Sequence, residues 1–306
     1  MSGPFQGGAD APRVSAVVVS FNAREDLRRC LASLEANVRL PLEVLVVDNA
    51  SADGSAEAVR REFPNARLIE NPTNRGYGAA NNQGFRATTG PHVLVLNSDA
   101  EVTSGAVEAL SALLDGRPEV GVAGPLTRGP DGSVQVSFGP DLRPLAEWRQ
   151  RRRVRGVRER RPEALRDVEA LALRQHETDW VSGSCFLARR AALGAVGGFD
   201  EGFFLYEEDA DLCRRLRQAG WRVVHTPAAE VRHALGRSMA QAPARAALEY
   251  HRSHLRYYRK HNGRLLTALL RGYFLARGLS RLAPSPRSPA VPGEAATLLR
   301  LGLLGR

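Results

Sequence analysis

Lysine is almost missing from this 306-residue chain: Lys260 is the only one, and arginine carries nearly all of the positive charge. The glycine-bearing stretch at residues 71–90 lacks the lysine and hydroxyl residue that complete a Walker A loop, and it lacks the glycine spacing of the dinucleotide fingerprint. Both familiar classes of phosphate loop are thereby excluded. Cysteine is sparse as well. Cys30, Cys185 and Cys213 are widely separated and odd in number, which excludes a disulfide framework and a cysteine metal cluster and leaves three buried, reduced thiols. No apolar run reaches the about 18 residues of a membrane-spanning helix, and Met1 to Ala16 has no apolar core of the signal-peptide kind. These absences place the chain in the cytoplasm, with contact at the inner face of the cell membrane as the one peripheral option.

What is present describes a globular enzyme-sized body: 43% hydrophobic and 25% charged residues. The net charge of +10 is unevenly distributed. Residues 232–306 carry fourteen Arg or Lys against Glu249 and Glu294, and residues 149–161 (RQRRRVRGVRERR) carry eight Arg against Glu159, so the remaining body is acidic. Basic appendages of this kind hold nucleic acid, anionic lipid or a phosphorylated substrate, or are simply solvated faces.

In chain order, residues 1–13 are rich in Gly, Pro and Ala and read as disordered. Val14 to Ser20 and Glu43 to Val47 are continuous β-branched runs, as in strands buried on both faces of a parallel sheet, with a helical pattern from Arg24 to Ala36 between them. That βαβ spacing predicts an α/β fold with its ligand site beyond the carboxyl ends of the strands, where Ser20, Asn22, Asp48 and Asn49 fall. Asp53 and Ser55 read as helix caps. Arg67 to Glu70 and His92 to Leu96 are further strands; small residues at Gly76, Gly78, Ala79 and Ala80 open a helix that a diphosphate can approach. Asn97-Ser98-Asp99 at a strand end suits either a divalent cation or an Asx turn. After a helix at 104–114 and a strand at 120–123 come the arginine cluster, as mobile loop or exposed helix, and short strands at 221–225 and 229–233. The tail holds two helical patterns broken at Asn262-Gly263, the second of which either lies on a membrane or packs on the domain. Residues 283–292 read as unstructured.

The densest chemistry lies at 197–216, GGFDEGFFLYEEDADLCRRL. Four rings (Phe199, Phe203, Phe204, Tyr206) precede Glu207, Glu208, Asp209 and Asp211. Carboxylates in a first helical turn are favoured by the macrodipole, and rings that desolvate a carboxylate tune a general base; cap and acid/base site stand equal.

Seven segments in order resemble the family 2 glycosyltransferases, inverting nucleotide-sugar enzymes of the GT-A fold, and within them the bacterial rhamnosyltransferase-like branch. They are VVVSFN (17–22), VVDNASADGS (46–55), NRGYGAANNQG (74–84), LNSDA (96–100), WVSGSCFLARR (180–190), GFDEGFFLYEEDADLCRRLRQAGW (198–221) and VRHALGRS (231–238). The resemblance covers roughly residues 14–240, with a nucleotide-sugar half (14–125) and an acceptor half (126–240) that contains the arginine insertion; 241–306 is a basic helical tail. It implies that Ser20, Asn22, Asp48 and Asn49 surround the nucleoside and that Asn74 and Gly76 lie beside the diphosphate. Asn97 stands where the family's DxD motif begins, at the loss of one ribose or metal contact, and Asp99 with His233 holds Mn²⁺ or Mg²⁺. Asp209 is the implied catalytic base, Glu208 and Asp211 either position the acceptor or serve in structural salt bridges, and Trp180 and Gly183 line the acceptor pocket. The implied donor is a nucleotide sugar, dTDP-rhamnose first, and the acceptor a glycan or lipid-linked saccharide of the cell surface. Nucleic acid is not an expected partner. A nucleotidyltransferase is disfavoured because residues 17–25 lack its glycine-rich loop, and a non-catalytic binding module because Asp99, Asp209 and His233 are intact.

Overall fold

A computed structural model of the chain describes residues 11–234, 243–282 and 293–305. Most of the segment expected to be disordered at the N-terminus, the end of VRHALGRS and the stretch 283–292 lie outside the described residues.

The first half follows the alternation of apolar runs and amphipathic segments. Strand β1 (Val14–Ser20) is buried along its whole length, and helix α1 (Arg24–Asn37) turns Leu27, Leu31 and Leu34 inward. Then come β2 (Leu42–Asp48), α2 (Ser55–Glu62), β3 (Arg67–Glu70), α3 (Tyr77–Ala87) and β4 (His92–Asn97). The strands β3, β2, β1 and β4 pair in parallel, as the βαβ spacing predicts. The N-caps of α1 and α2 are Ala23 and Gly54 and not the expected Asp53 and Ser55. Asp53 instead bridges the two helix starts, accepting the backbone N–H of Arg24 at 2.8 Å and of Ser55 at 3.1 Å, and Ser55, the first residue of α2, donates its hydroxyl to Asp53 at 2.6 Å.

Beyond β5 (Ala100–Val102), α4 (Ala106–Gly116) and β6 (Val120–Arg128) the sheet becomes mixed. A short strand β7 (Phe138–Gly139) leads to α5 (Pro144–Arg158) and α6 (Pro162–Ala172), so the arginine cluster is helical. Strands β8 (His176–Glu177), β9 (Trp180–Val181) and β10 (Cys185–Arg189), helices α7 (Arg190–Val196) and α8 (Glu208–Gln218), and strand β11 (Arg222–His233) follow. Strand β10 enters antiparallel between β4 and β6, giving the order β3-β2-β1-β4-β10-β6-β11-β5. The two short strands expected at 221–233 are one: β11 pairs with β6 on both sides of an irregularity between Thr226 and Glu230, so the break in the pattern is a bulge.

Alternate residues of the strands feed two cores. Ala16, Val18, Val46 and Leu94 face α1 and α4, while Val17, Leu45, Val95 and Phe186 face α3 and α8. Truncating a fully buried leucine such as Leu31 or Leu110 to alanine costs about 2–5 kcal/mol in such an environment.

The basic tail forms α9 (Pro243–His261), α10 (Gly263–Ser280) and α11 (Glu294–Leu303), with Gly263 at φ 76° taking the turn after α9. It packs on the body. Leu255, Tyr257, Phe274 and Leu298 share a buried cluster with Phe203 and Ala210 of the carboxylate-rich stretch. The lone lysine fastens the same seam, with Lys260 Nζ 2.6 Å from Asp200 and 2.7 Å from Asp211. No described helix is long and apolar enough to cross a membrane.

Candidate active site

The carboxyl ends of β1, β2 and β4 lie side by side, with Ser20 opposite Asp48 and Val19 opposite both Val47 and Asn97. They form the floor of a cleft of about 540 Å³ whose walls include Asn49, Asn74, Gly76, Asn97, Asp99, Trp180, Gly183, Glu208, Asp209 and His233. Ten of the fourteen residues expected at the site therefore meet in one place. Ser20, Asn22, Asp48 and Asp211 do not line it.

Ser20 and Asp48 are buried just behind the floor, and Ser20 Oγ and Asp48 Oδ1 have no hydrogen-bond partner among the described residues. Orphaned oxygens of this kind cost about 1–3 kcal/mol each, so a ligand donor that reaches them is rewarded. Asn22, at φ 49°, accepts the N–H of Ala52 through its side chain and shapes the β1–α1 loop. Asn49 has no capacity left for a nucleoside: its amide donates to Asn74 Oδ1 (2.9 Å) and to the Gly76 carbonyl (3.3 Å), and its oxygen accepts from Asn71 and the Arg75 N–H. Its task is to hold the 71–76 loop in place.

The start of α3 also differs from the expected phosphate cradle. Gly76 sits at φ 86°, ψ 164°, a region open essentially to glycine alone. A Cβ there would stand 2.6 Å from the Phe204 carbonyl, which accepts the Tyr77 N–H at 2.9 Å. Gly78 is likewise covered, by Phe199. The small residues thus admit the backbone of the 199–206 segment and lock it to α3.

At the cleft's far end Asp99 Oδ1 is 3.2 Å from His233 Nε2. Gln135 donates its amide to the His233 carbonyl, which turns Gln135 Oε1 toward His233 Nδ1 at 3.2 Å. That contact suits a proton on Nδ1, the tautomer in which Nε2 is the nitrogen open to a cation. Two donors about 3 Å apart match adjacent positions on an octahedral ion with bonds near 2.1 Å. Among the described residues no group of three or more His, Cys, Asp or Glu converges. A pair is nonetheless enough for Mg²⁺ or Mn²⁺, which complete their shell with substrate phosphates and water.

The opposite wall carries the acid/base groups. Tyr206 and Glu207 both have positive φ (71° and 62°), so the chain enters α8 through two strained residues. Asp209 Oδ2 accepts the Gly183 N–H at 2.7 Å and Oδ1 the Ala210 N–H at 2.8 Å. Burial nevertheless lifts its carboxyl above the usual range, against the pull of those N–H groups. Glu208 rises further, through burial and then the charges of Asp209 and Glu207, and its Oε2 has no hydrogen-bond partner among the described residues. Of the two, Glu208 is pushed further toward the protonated form, while the Gly183 and Ala210 N–H groups favour the charged form of Asp209. Tyr77 donates its hydroxyl to the Gly183 carbonyl at 2.6 Å, closing the wall.

For Asp211 the structural salt bridge, one of its two readings, is the one the fold adopts. Asp211 is fully buried on the other side of α8 and pairs with Arg215, Lys260 and His261, each at 2.7 Å. Its work is to bind α9 to α8. Trp180 lies in the cleft wall with Nε1 donated to the Pro140 carbonyl. Sequence reasoning passed over His254 of α9, whose Nδ1 is 2.6 Å from Glu207 and whose Nε2 is 3.2 Å from Glu147 of α5. Burial would lower this imidazole, but Glu207 and Glu147 push it up to about 10, so it is a buried cation between two carboxylates.

The profile described as Glycosyl transferase family 2 matches residues 15–197. This chain is a family 2 glycosyltransferase. A second profile, Glycosyl transferase family group 2, matches residues 165–281 and so takes in α9 and α10. The glycosyltransferase is 36% identical over 250 residues to N-acetylglucosaminyl-diphospho-decaprenol L-rhamnosyltransferase of Mycobacterium tuberculosis, covering 78% of this chain and 81% of the relative. It is 32% identical to the O-antigen biosynthesis protein RfbC of Myxococcus xanthus, over 72% of this chain and 17% of that longer protein. Among solved structures it resembles the mannosyltransferase PcManGT of Pyrobaculum calidifontis in complex with GDP-Man and Mn²⁺, with a TM-score of 0.59 at 19% identity, covering 99% and 82% of the two chains. It also resembles S. aureus TarS 1–349, with a TM-score of 0.53 at 17% identity, covering 95% and 85%. The fold is accordingly GT-A, and the activity is glycosyl transfer.

Proposed function

We propose that this glycosyltransferase moves rhamnose from dTDP-rhamnose to a lipid-linked saccharide with inversion, using Asp209 as general base. The observation that carries the proposal is the Asp209 carboxyl group, raised by burial and oriented by two N–H groups in the wall of the cleft. Asp209 takes the proton of an acceptor hydroxyl as that oxygen forms its bond to the anomeric carbon. The bond from the anomeric carbon to the diphosphate breaks on the opposite face, and the electron pair leaves with the nucleotide. Glu208, beside Asp209 in the cleft wall, positions an acceptor or sugar hydroxyl. Asp99 and His233 would hold Mg²⁺ or Mn²⁺, which supplies positive charge to the leaving diphosphate. Ser20 Oγ and Asp48 Oδ1 stand ready for nucleoside donors once the floor opens by a small shift.

The donor and acceptor are supported by the name of the 36% identical mycobacterial relative. Apolar walls formed by Leu142, Leu205, Phe204 and Tyr250 suit the hydrocarbon part of a lipid-linked acceptor. The site of action is the cytoplasmic face of the membrane. Thermal-shift measurements against a panel of nucleotide sugars, with Mn²⁺ or chelator, test the reading. A shift for dTDP-rhamnose that chelator removes is expected. A chelator-insensitive shift, or one confined to another sugar, would overturn the metal or the donor, respectively.

A further inference from the structure

Eleven large apolar side chains are exposed among the described residues, and nine of them lie on α5 or from α10 onward. Of the other two, Phe21 lines the cleft. On α10, Leu265 (74% exposed), Leu269, Tyr273 and Leu279 recur at helical spacing and form one outward stripe, while Leu270 and Phe274 face the body. Two of the three arginines of α10 turn away from solvent charge. Arg271 donates to the Gly302 carbonyl and Arg277 pairs with Glu294, so both fasten α11. The free positive charge comes instead from α5. Leu145 (61%) and Trp148 (57%) are exposed at its start, Arg152 lies over the Trp148 ring, and no ion pair joins Arg149, Arg152 or Arg155 to a carboxylate among the described residues.

The two helices flank the same side of the cleft. Arg151 of α5 donates to the hydroxyl of Tyr250, a cleft residue, and Leu142, just before α5, packs against the buried cluster of Leu270 and Phe274 of α10. Asn262, just before α10, donates to the Leu142 carbonyl just before α5. Exposed Leu and Trp beside arginines without counter-charges is the composition of an interfacial surface. Trp and Leu enter the headgroup boundary, and Arg meets anionic headgroups. Nucleic acid would use the arginines and leave the leucines in water; a second copy would set like charges against each other.

We propose that the face formed by α5 and α10 docks on an anionic phospholipid bilayer and presents the cleft mouth at Tyr250 to it. This deepens the lipid-linked acceptor reading, and it is tested without any acceptor. The full chain is sedimented with phosphatidylglycerol-containing vesicles and with pure phosphatidylcholine vesicles. Binding to the anionic vesicles alone is expected, falling with salt, with a blue shift of Trp148 emission. Replacing Arg152 and Arg155 together by Gln should weaken binding roughly thirtyfold, at about 1 kcal/mol per arginine near the surface. Trp148→Ser with Leu265→Ser should weaken it as well, while the melting temperature and transfer to a short-chain soluble acceptor stay at the parent level.

Absence of vesicle binding, or binding that none of these substitutions changes, would overturn the proposal. So would equal affinity for random duplex DNA that survives Leu265→Ser, or a concentration-dependent dimer that Leu265→Ser dissociates. Vesicle binding without sugar transfer would instead defeat the proposed donor and acceptor and leave the docking surface standing.

Discussion

Replacing His254 by alanine should destabilise this enzyme more than any surface substitution, because it strands two buried carboxylates. His254 Nδ1 and Nε2 meet Glu207 and Glu147 at 2.6 and 3.2 Å, and the three side chains are all buried. Raising an imidazole from 6.5 to about 10 corresponds to roughly 4–5 kcal/mol at 1.36 kcal/mol per pH unit. Glu147, whose burial is outweighed first by the His254 hydrogen bond so that it falls from 4.5 to about 2, gives roughly 3 kcal/mol for part of the same attraction. The two are views of one cluster and are not added. Breaking a buried ion pair from one side typically costs about 3–5 kcal/mol, in agreement. The expected loss is on the order of 10 °C in Tm. It also has a pH signature. The folded-state value lies above the unfolded one, so the stabilisation is complete below about pH 6.5 and is lost as pH rises toward about 10. Parent and variant should therefore differ most near pH 6 and converge near pH 10 in urea unfolding. Adding Glu207→Gln to the variant should recover part of the loss, since it removes one of the stranded charges. A difference below about 1 kcal/mol near neutral pH, or one that does not vary with pH, would refute the reasoning.

Three further outcomes follow from the same geometry. Gly76→Ala should cost about 2–4 kcal/mol, because it combines a glycine-only backbone conformation with a Cβ 2.6 Å from the Phe204 carbonyl; an unchanged unfolding midpoint would count against the lock between α3 and the 199–206 segment. Asp99→Ala should abolish the metal dependence of donor binding in calorimetry, and metal-dependent affinity equal to the parent's would remove Asp99 from the cation site. Because the base acts ionised and burial raises Asp209, kcat/KM should climb with pH and level off above a value higher than the ordinary carboxylate's; a profile flat down to pH 4 would deny Asp209 that role.

The strands β1, β2 and β4 were legible because burial on both faces leaves an unbroken β-branched signature, and strand ends in such sheets are where ligands bind. Asp99 and Asp209 stand out in the sequence because each follows a recognisable local break, a strand end or an aromatic turn, but the residues alone left an Asx turn and a helix cap open, and only the family resemblance gave them roles. What sequence did not disclose depends on partners far along the chain. Asp211 looks like one more carboxylate of a run, and only Lys260 and His261 of α9 reveal it as a tether. Asn49 looks like a ligand residue until its four hydrogen bonds with the 71–76 loop are traced. His254 sits 47 residues from Glu207 with no motif around it, and its role comes from the antiparallel return of the tail over the active-site loop. For the tail, charge and amphipathicity are local quantities that left a membrane-surface helix and packing on the domain equally open; Tyr257 and Phe274 are buried against the body and make the tail part of the fold. The split of β11 into two strands was a misreading of a bulge, which sequence registers only as lost alternation.

The central claim is that Asp209 performs the proton transfer. Sugar transfer by purified Asp209→Asn, measured beside its donor affinity, tests this most directly, since the amide keeps the shape and the Gly183 contact's position but cannot accept the acceptor's proton. Transfer should vanish while donor affinity stays within a few-fold of the parent's. Retention of even a tenth of the activity, or loss of donor binding in step with activity, would contradict the account.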